Sequence, residues 1–195
     1  MLTTGWLLVS KWTNTKPIVD KVCDKIVGMH LFDAYVERMD DCSPSLACIL
    51  QTPPTQIREN VYLGTSWDAA SWEVLEKYNI KSVVNCAEEI RCYFKDDLPY
   101  LHLPLRDNNE CTLSQSLVSS VIDFLDNQSE NGGVLIHCYA GCSRSVAIIT
   151  IWLVKRYAMS YESAYKSIQK CRICVNMSTQ LMGEVIRHAN NGHVY

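Results

Sequence analysis

The stretch from Gly132 to Tyr157 constrains the fold more than any other part of the chain. Gly132 and Gly133 end a connection, and Val134, Leu135, Ile136 and His137 follow as a nearly apolar run. The loop His137–Ser145 then reads HCYAGCSRS, and Arg144–Tyr157 is apolar again. A short run without period-two alternation suits a strand covered on both faces, the environment of a central strand in a parallel sheet. After the loop, Arg144–Tyr157 reads as an apolar helix. The segment therefore asks for an α/β architecture with a polar loop at the C-terminal end of its most buried strand.

The remaining patterns agree. Val61, Tyr62 and Leu63, ended by Gly64, signal a short strand, and Ser66 reads as the N-cap of a helix reaching about Lys77. Ile80–Asn85 reads as a buried strand. Tyr100–Leu105 reads as another, delivering Arg106, Asp107 and Asn108 into a polar loop, and a helix is expected over Leu113–Asn127. Two more helical patterns, Tyr161–Cys171 and Thr179–Ala189, follow. Strands alternating with helices predict a central, mostly parallel sheet flanked by helices. Upstream, Ile18, Val19, Val22, Ile26, Met29, Phe32 and Val36 recur at helical spacing between Pro17 and Met39. The turn formers Asp40, Asp41, Ser43, Pro44, Pro53 and Pro54 then mark a seam. Residues 1–53 are thus expected to form an N-terminal helical extension, and residues 54–195 the main domain.

Composition narrows the function classes. With 48% hydrophobic and 20% charged residues the chain has the makeup of a soluble globular protein. A net charge of −3 supplies no broad cationic field, so no nucleic-acid partner is expected and any anion specificity must be local. The apolar run at Trp6, Leu7, Leu8 and Val9 is too short for a membrane span and lacks a basic leader and cleavage site. Ten cysteines scattered through such a chain fit reduced thiols in an intracellular compartment, cytoplasm or nucleus, better than a disulfide framework. Cys171 and Cys174 form a CxxC without a second pair at ligand spacing, so they read as buried, inert thiols, and no metal site is expected.

Chemistry concentrates in the loop. In a chain with ten cysteines, a Cys six residues before an Arg means little by itself. Context gives it weight, because a strand end followed by a helix start offers a nest of backbone N–H groups and the positive end of a helix dipole. Gly141 permits the tight curl, and Tyr139, Ala140, Gly141, Cys142 and Ser143 complete a candidate phosphate-binding loop. The same field favours a thiolate at Cys138, which makes it the candidate nucleophile. Arg144 has the planar fork that grips two phosphoryl oxygens. Ser145 is placed to donate a hydrogen bond to the Cys138 sulfur, and His137 to orient the loop. The plain alternative, a buried thiol, a surface arginine and a helix cap, requires those residue types to meet at a strand-to-helix junction by accident.

HCYAGCSRS resembles the HCxxGxxRS signature of the dual-specificity phosphatases, a branch of the protein tyrosine phosphatase superfamily. Asn60-Val61-Tyr62-Leu63-Gly64 is similar to that family's opening strand, Val83-Val84-Asn85 to its next buried strand, and Asn176 to an asparagine before its last helix. The resemblance covers roughly residues 54–190. It implies hydrolysis of phosphotyrosine and phosphoserine or phosphothreonine in phosphoproteins, through a cysteinyl-phosphate and without metal or organic cofactor. It implies Asp107, in LPLRDNNE, as general acid, with Glu110 as the fallback. The loop carries no cation besides Arg144, which favours phosphoprotein over a phosphoinositide, an RNA 5′-phosphate or a phosphorylated glycan; a weakly catalytic phosphate-binding module is the rival from another class. Cys142 and Cys86 are candidate thiols to capture an oxidised Cys138. The apolar face of the N-terminal helix would suit a homodimer.

Overall fold

A computed structural model of the chain describes residues 52–107 and 111–190. The expected N-terminal helix, its seam up to Gln51, and Glu110 lie outside these residues. Strand β1, Thr55–Arg58, turns at Glu59-Asn60 into β2, Val61–Gly64, and pairs antiparallel with it. Asn60 has φ 60°, a left-handed conformation that asparagine tolerates better than most side chains. β1 has no counterpart among the expected strands, because only Ile57 of its four side chains is buried.

The single helix expected from Ser66 to Lys77 is two: α1, Ser66–Ala70, and α2, Trp72–Lys77. Thr65, rather than Ser66, is the first cap. It shares a capping box with Asp68, the Asp68 amide donating to Thr65 Oγ1 at 3.2 Å and the Thr65 amide to Asp68 Oδ2 at 2.7 Å. Ser71, extended at φ −104° and ψ 108°, ends α1 and accepts from the Val74 amide at 3.4 Å to start α2.

Next come β3, Ile80–Asn85, and β4, Tyr100–His102. β4 stops short of the expected Leu105; Leu103 still donates to Asn85 O at 2.7 Å, but Pro104 has no N–H to continue the ladder. Helix α3 spans Gln115–Ser129 behind an N-cap at Ser114, and β5 spans Gly133–His137. Helices α4, Arg144–Tyr157, α5, Tyr161–Cys171, and α6, Thr179–Asn190, complete the order.

The sheet runs β1-β2-β5-β3-β4, with every pair except β1–β2 parallel. The apolar run at 134–137 takes the centre, and all five β5 residues are buried. Leu135 packs with Ala69, Leu75, Ile80 and Val83. Strand alternation sends Val134 and Ile136 to the other face, where α3 and α4 lie against β5. α4 is buried from Arg144 to Val154, with α3, α5 and α6 around it. Each fully buried Leu or Ile in these layers contributes about 1.5–3 kcal/mol. Among the described residues no helix is long and apolar enough to cross a membrane.

Candidate active site

Register places the site. Gly64 and Asn85 each pair with His137, so three parallel strands end in one row and Cys138 is the first residue beyond it. The loop that follows is held from outside by its carbonyls. Tyr139 O accepts from the Ser66 amide at 3.0 Å, Ala140 O from Arg172 Nη2 at 3.4 Å, and Cys142 O from the Asn176 amide at 2.9 Å. In a planar trans peptide the C=O and N–H point opposite ways, so these contacts turn the amides of Ala140, Gly141 and Ser143 inward. Gly141 sits at φ 68°, and a Cβ there would lie 2.5 Å from Gly64 O. The glycine serves close approach to β2 as well as the curl read from the sequence.

Ser143, the residue before α4, makes no side-chain cap. Its hydroxyl instead donates to Asp107 Oδ1 at 3.1 Å and accepts from the Ser178 amide at 3.2 Å. The first turn of α4 therefore keeps its orphan N–H groups for a ligand.

Cys138 lies on the floor of the loop, 3% exposed, and Ser145 Oγ donates to its sulfur at 3.2 Å. His137 Nδ1–H donates to Cys138 O at 3.0 Å, while its buried Nε2 has no partner. Burial holds the His137 pKa at about 4, with His102 and Arg144 pushing the same way and the Cys138 carbonyl opposing. The imidazole is thus neutral in the fold, whereas in the unfolded chain it takes up a proton below its ordinary 6.5. Between pH 6.5 and 4 the unfolded state binds the extra proton, so this group makes stability fall as pH drops, by roughly 3 kcal/mol over the window. A titration of Tm against pH should show a shallower acid slope for His137→Asn than for wild type; parallel slopes would assign the acid sensitivity elsewhere.

Arg144 is oriented by partners that the sequence did not announce. Its Nη1 donates to Glu89 Oε2 at 2.7 Å and Leu105 O at 3.2 Å, and its Nη2 to Glu89 Oε1 at 2.7 Å. Guanidinium has five N–H groups, and the two left over, on Nε and Nη2, form one edge. Nε is buried without a hydrogen-bond partner and lies 3.8 Å from Asp107 Oδ2. That edge has the two parallel donors that a bidentate anion would accept from. Burial works against the Arg144 charge, but the Glu89 hydrogen bonds and the charges of Cys138, Glu89 and Asp107 outweigh it and raise the pKa. Cys138, Arg144, Ser145 and Asp107 are thereby gathered around one loop, with the Asp107 carboxylate 37% exposed at its mouth.

Two residues missing from the sequence reading matter here. Glu89 follows the C-terminal end of β3, where open parallel sheets place their ligands, and that position was its only signal. Its neighbour Glu88 turns to an exposed pair with Arg106 instead. Arg172, 2% exposed, joins Ala140 O to Pro53 O at 3.3 Å and Thr55 Oγ1 at 3.2 Å, and nothing local in the sequence marks it.

The cysteines divide by environment. Cys86 is fully buried; burial and then the Cys138 charge push its pKa up, with Arg144 opposing. The Cys142 thiol donates to Ala140 O at 3.4 Å, and Cys174 acts on it electrostatically. Cys171 is exposed and Cys174 half-buried, which corrects the reading of both as buried. Among the described residues no three His, Cys, Asp or Glu side chains gather as a metal site.

Solved structures of other proteins share this architecture. Human tyrosine phosphatase-like serine/threonine/tyrosine-interacting protein aligns with a TM-score of 0.64 at 24% identity, over 70% of this chain and 95% of its own. PTPMT1, solved in complex with PI(5)P, aligns with a TM-score of 0.59 at 19% identity, over 71% and 93%. The family model described as "Dual specificity phosphatase, catalytic domain" matches residues 61–191, and the chain belongs to that family. Human dual specificity protein phosphatase 9 is 32% identical over 136 residues, 68% of this chain and 35% of its own length. Protein phosphatase Slingshot of Drosophila melanogaster is 26% identical over 132 residues, 68% of this chain and 13% of its own. The chain thus spans about a third or less of these relatives.

Proposed function

We propose that the protein is a cysteine-dependent phosphatase that hydrolyses phosphotyrosine and phosphoserine or phosphothreonine in phosphoproteins through a cysteinyl-phosphate. The observation that carries this reading is the open Nε/Nη2 edge of Arg144 above a floor formed by Cys138. A phosphoryl group held there by Arg144 and the inward amides has its phosphorus in line with the Cys138 sulfur. Attack forms the S–P bond and breaks the ester P–O bond, and Asp107 gives its proton to the departing oxygen. Asp107 then takes a proton from a water that attacks phosphorus. The S–P bond breaks, Ser145 stabilises the departing thiolate, and phosphate leaves.

Phosphoprotein is supported as the substrate class by a loop without any Lys or Arg besides Arg144, and by relatives named as protein phosphatases. The PI(5)P bound to PTPMT1 makes a phosphoinositide the competing substrate. Parallel assays on phosphotyrosine and phosphothreonine peptides, PI(5)P, a 5′-phosphorylated RNA and a phosphorylated glycan decide between them. The highest kcat/KM is expected on the peptides. A higher value on PI(5)P, RNA or glycan would replace the substrate class and keep the chemistry, whereas binding of peptides without turnover would make the protein an interaction module.

A further inference from the structure

Outside the catalytic chemistry, one side-chain cluster has no assigned use. Cys142 sits within the phosphate-binding loop and Cys174 in the connection between α5 and α6, and the Asn176 amide docks that connection on Cys142 O at 2.9 Å. Two residues before Cys174, Arg172 Nη2 donates to Ala140 O at 3.4 Å, so the stretch from Arg172 to Asn176 that carries Cys174 is tied at both ends to the loop residues around Cys142. Arg172, a buried guanidinium fixed by Pro53, Thr55 and Ala140, brings its charge to bear on Cys174. Both cysteines are half-buried, so a small oxidant reaches them, whereas Cys138 lies beneath at 3% exposure.

We propose that Cys142 and Cys174 form an auxiliary dithiol that a hydroperoxide converts to a disulfide, tying the phosphate-binding loop to the α5–α6 connection without using Cys138. The electrostatics support the division of labour. The Cys142 thiol, then the Arg172 charge, bring the Cys174 pKa down to about 6 against burial, while Cys174 and then burial push Cys142 up. At neutral pH the pair holds one thiolate and one thiol, the combination that oxidation followed by exchange requires.

In the first step the Cys174 thiolate attacks the peroxide oxygen. The O–O bond breaks, hydroxide or alkoxide departs and takes a proton from solvent, and Cys174 becomes a sulfenic acid. In the second, Cys142 attacks the sulfenic sulfur, the S–O bond breaks as the S–S bond forms, and the Cys142 proton leaves with the hydroxyl as water. Two thiols lose one electron each and the peroxide gains both. The exposed Cys171, although it completes a CxxC with Cys174, takes no part.

The test uses the full chain as wild type and as Cys138→Ser, reduced, exposed to hydrogen peroxide, alkylated and digested with trypsin without reductant. Cleavage after Arg172 leaves Cys174 as the only cysteine of its peptide, so mass spectrometry reads its fate directly. The expected major form of that peptide in both proteins is a disulfide to Cys142, located by fragmentation, removed by dithiothreitol and absent from Cys174→Ser. Recovery of Cys174 as an alkylated thiol or an unlinked sulfinic acid, its linkage to any other cysteine, or linkage that disappears in Cys138→Ser would each overturn the proposal. The readout is linkage rather than turnover, so it stands or falls apart from the phosphatase reading.

Discussion

Cys138→Ser should abolish turnover of every phosphomonoester the wild type accepts, a loss on the order of 10⁵-fold or more, while leaving the capacity to bind phosphate. A serine hydroxyl needs a base to become a nucleophile, and the adjacent His137 is a poor one. His137, the nearest imidazole in sequence, spends its Nδ1–H on the Cys138 carbonyl and is held at a pKa of about 4 by burial. The oxygen would inherit the Ser145 hydrogen bond but not the intrinsic nucleophilicity of sulfur. Meanwhile the inward amides and the open edge of Arg144 are untouched, so a phosphotyrosine peptide should bind the variant with wild-type affinity or tighter. Single-turnover assays and calorimetry check the two halves of this expectation. Residual turnover at a hundredth of wild type would remove Cys138 from the nucleophile's role.

The centre of this fold was legible because several local signals agree there. The apolar run at 134–137, the glycine at 141 and the apolar stretch at 144–157 each say the same thing, and β5, the loop and α4 follow them. Elsewhere the signals were single or mixed. Ser71 is both the end of α1 and the cap of α2, which a continuous helical pattern hides. β1 buries one side chain, too little for a period-two pattern to emerge. Within the site, residues joined through the loop or through motif resemblance could be named in advance. Glu89 and Arg172 could not, because their relevance comes from register and long-range packing: Arg172 meets Ala140 across 32 residues of chain, and Glu89 reaches Arg144 across 55. Chemistry did require that a buried arginine find a carboxylate. Only the β3–β5 pairing settles which one.

Asp107→Asn tests the other half of the chemistry, and its expected signature is a loss that depends on the leaving group. Asparagine keeps an oxygen to accept from the Ser143 hydroxyl, so the side chain stays where Asp107 is, while the proton and the 3.8 Å ion pair to Arg144 disappear. On phosphoserine or phosphothreonine peptides, whose alkoxide leaves poorly without a proton, kcat should fall by about 10²–10⁴-fold. On aryl phosphates with acidic phenols, which leave as anions unaided, the loss should shrink toward nothing. The limb of the pH profile that reports the acid losing its proton should flatten with it. KM should change little, since Arg144 keeps Glu89, Leu105 and its open edge. A residue that merely braces the loop would lower kcat equally for every ester, and that uniform loss would reduce Asp107 to a positioning role. An unchanged rate on alkyl phosphates would exclude it as the acid and turn attention to Glu110.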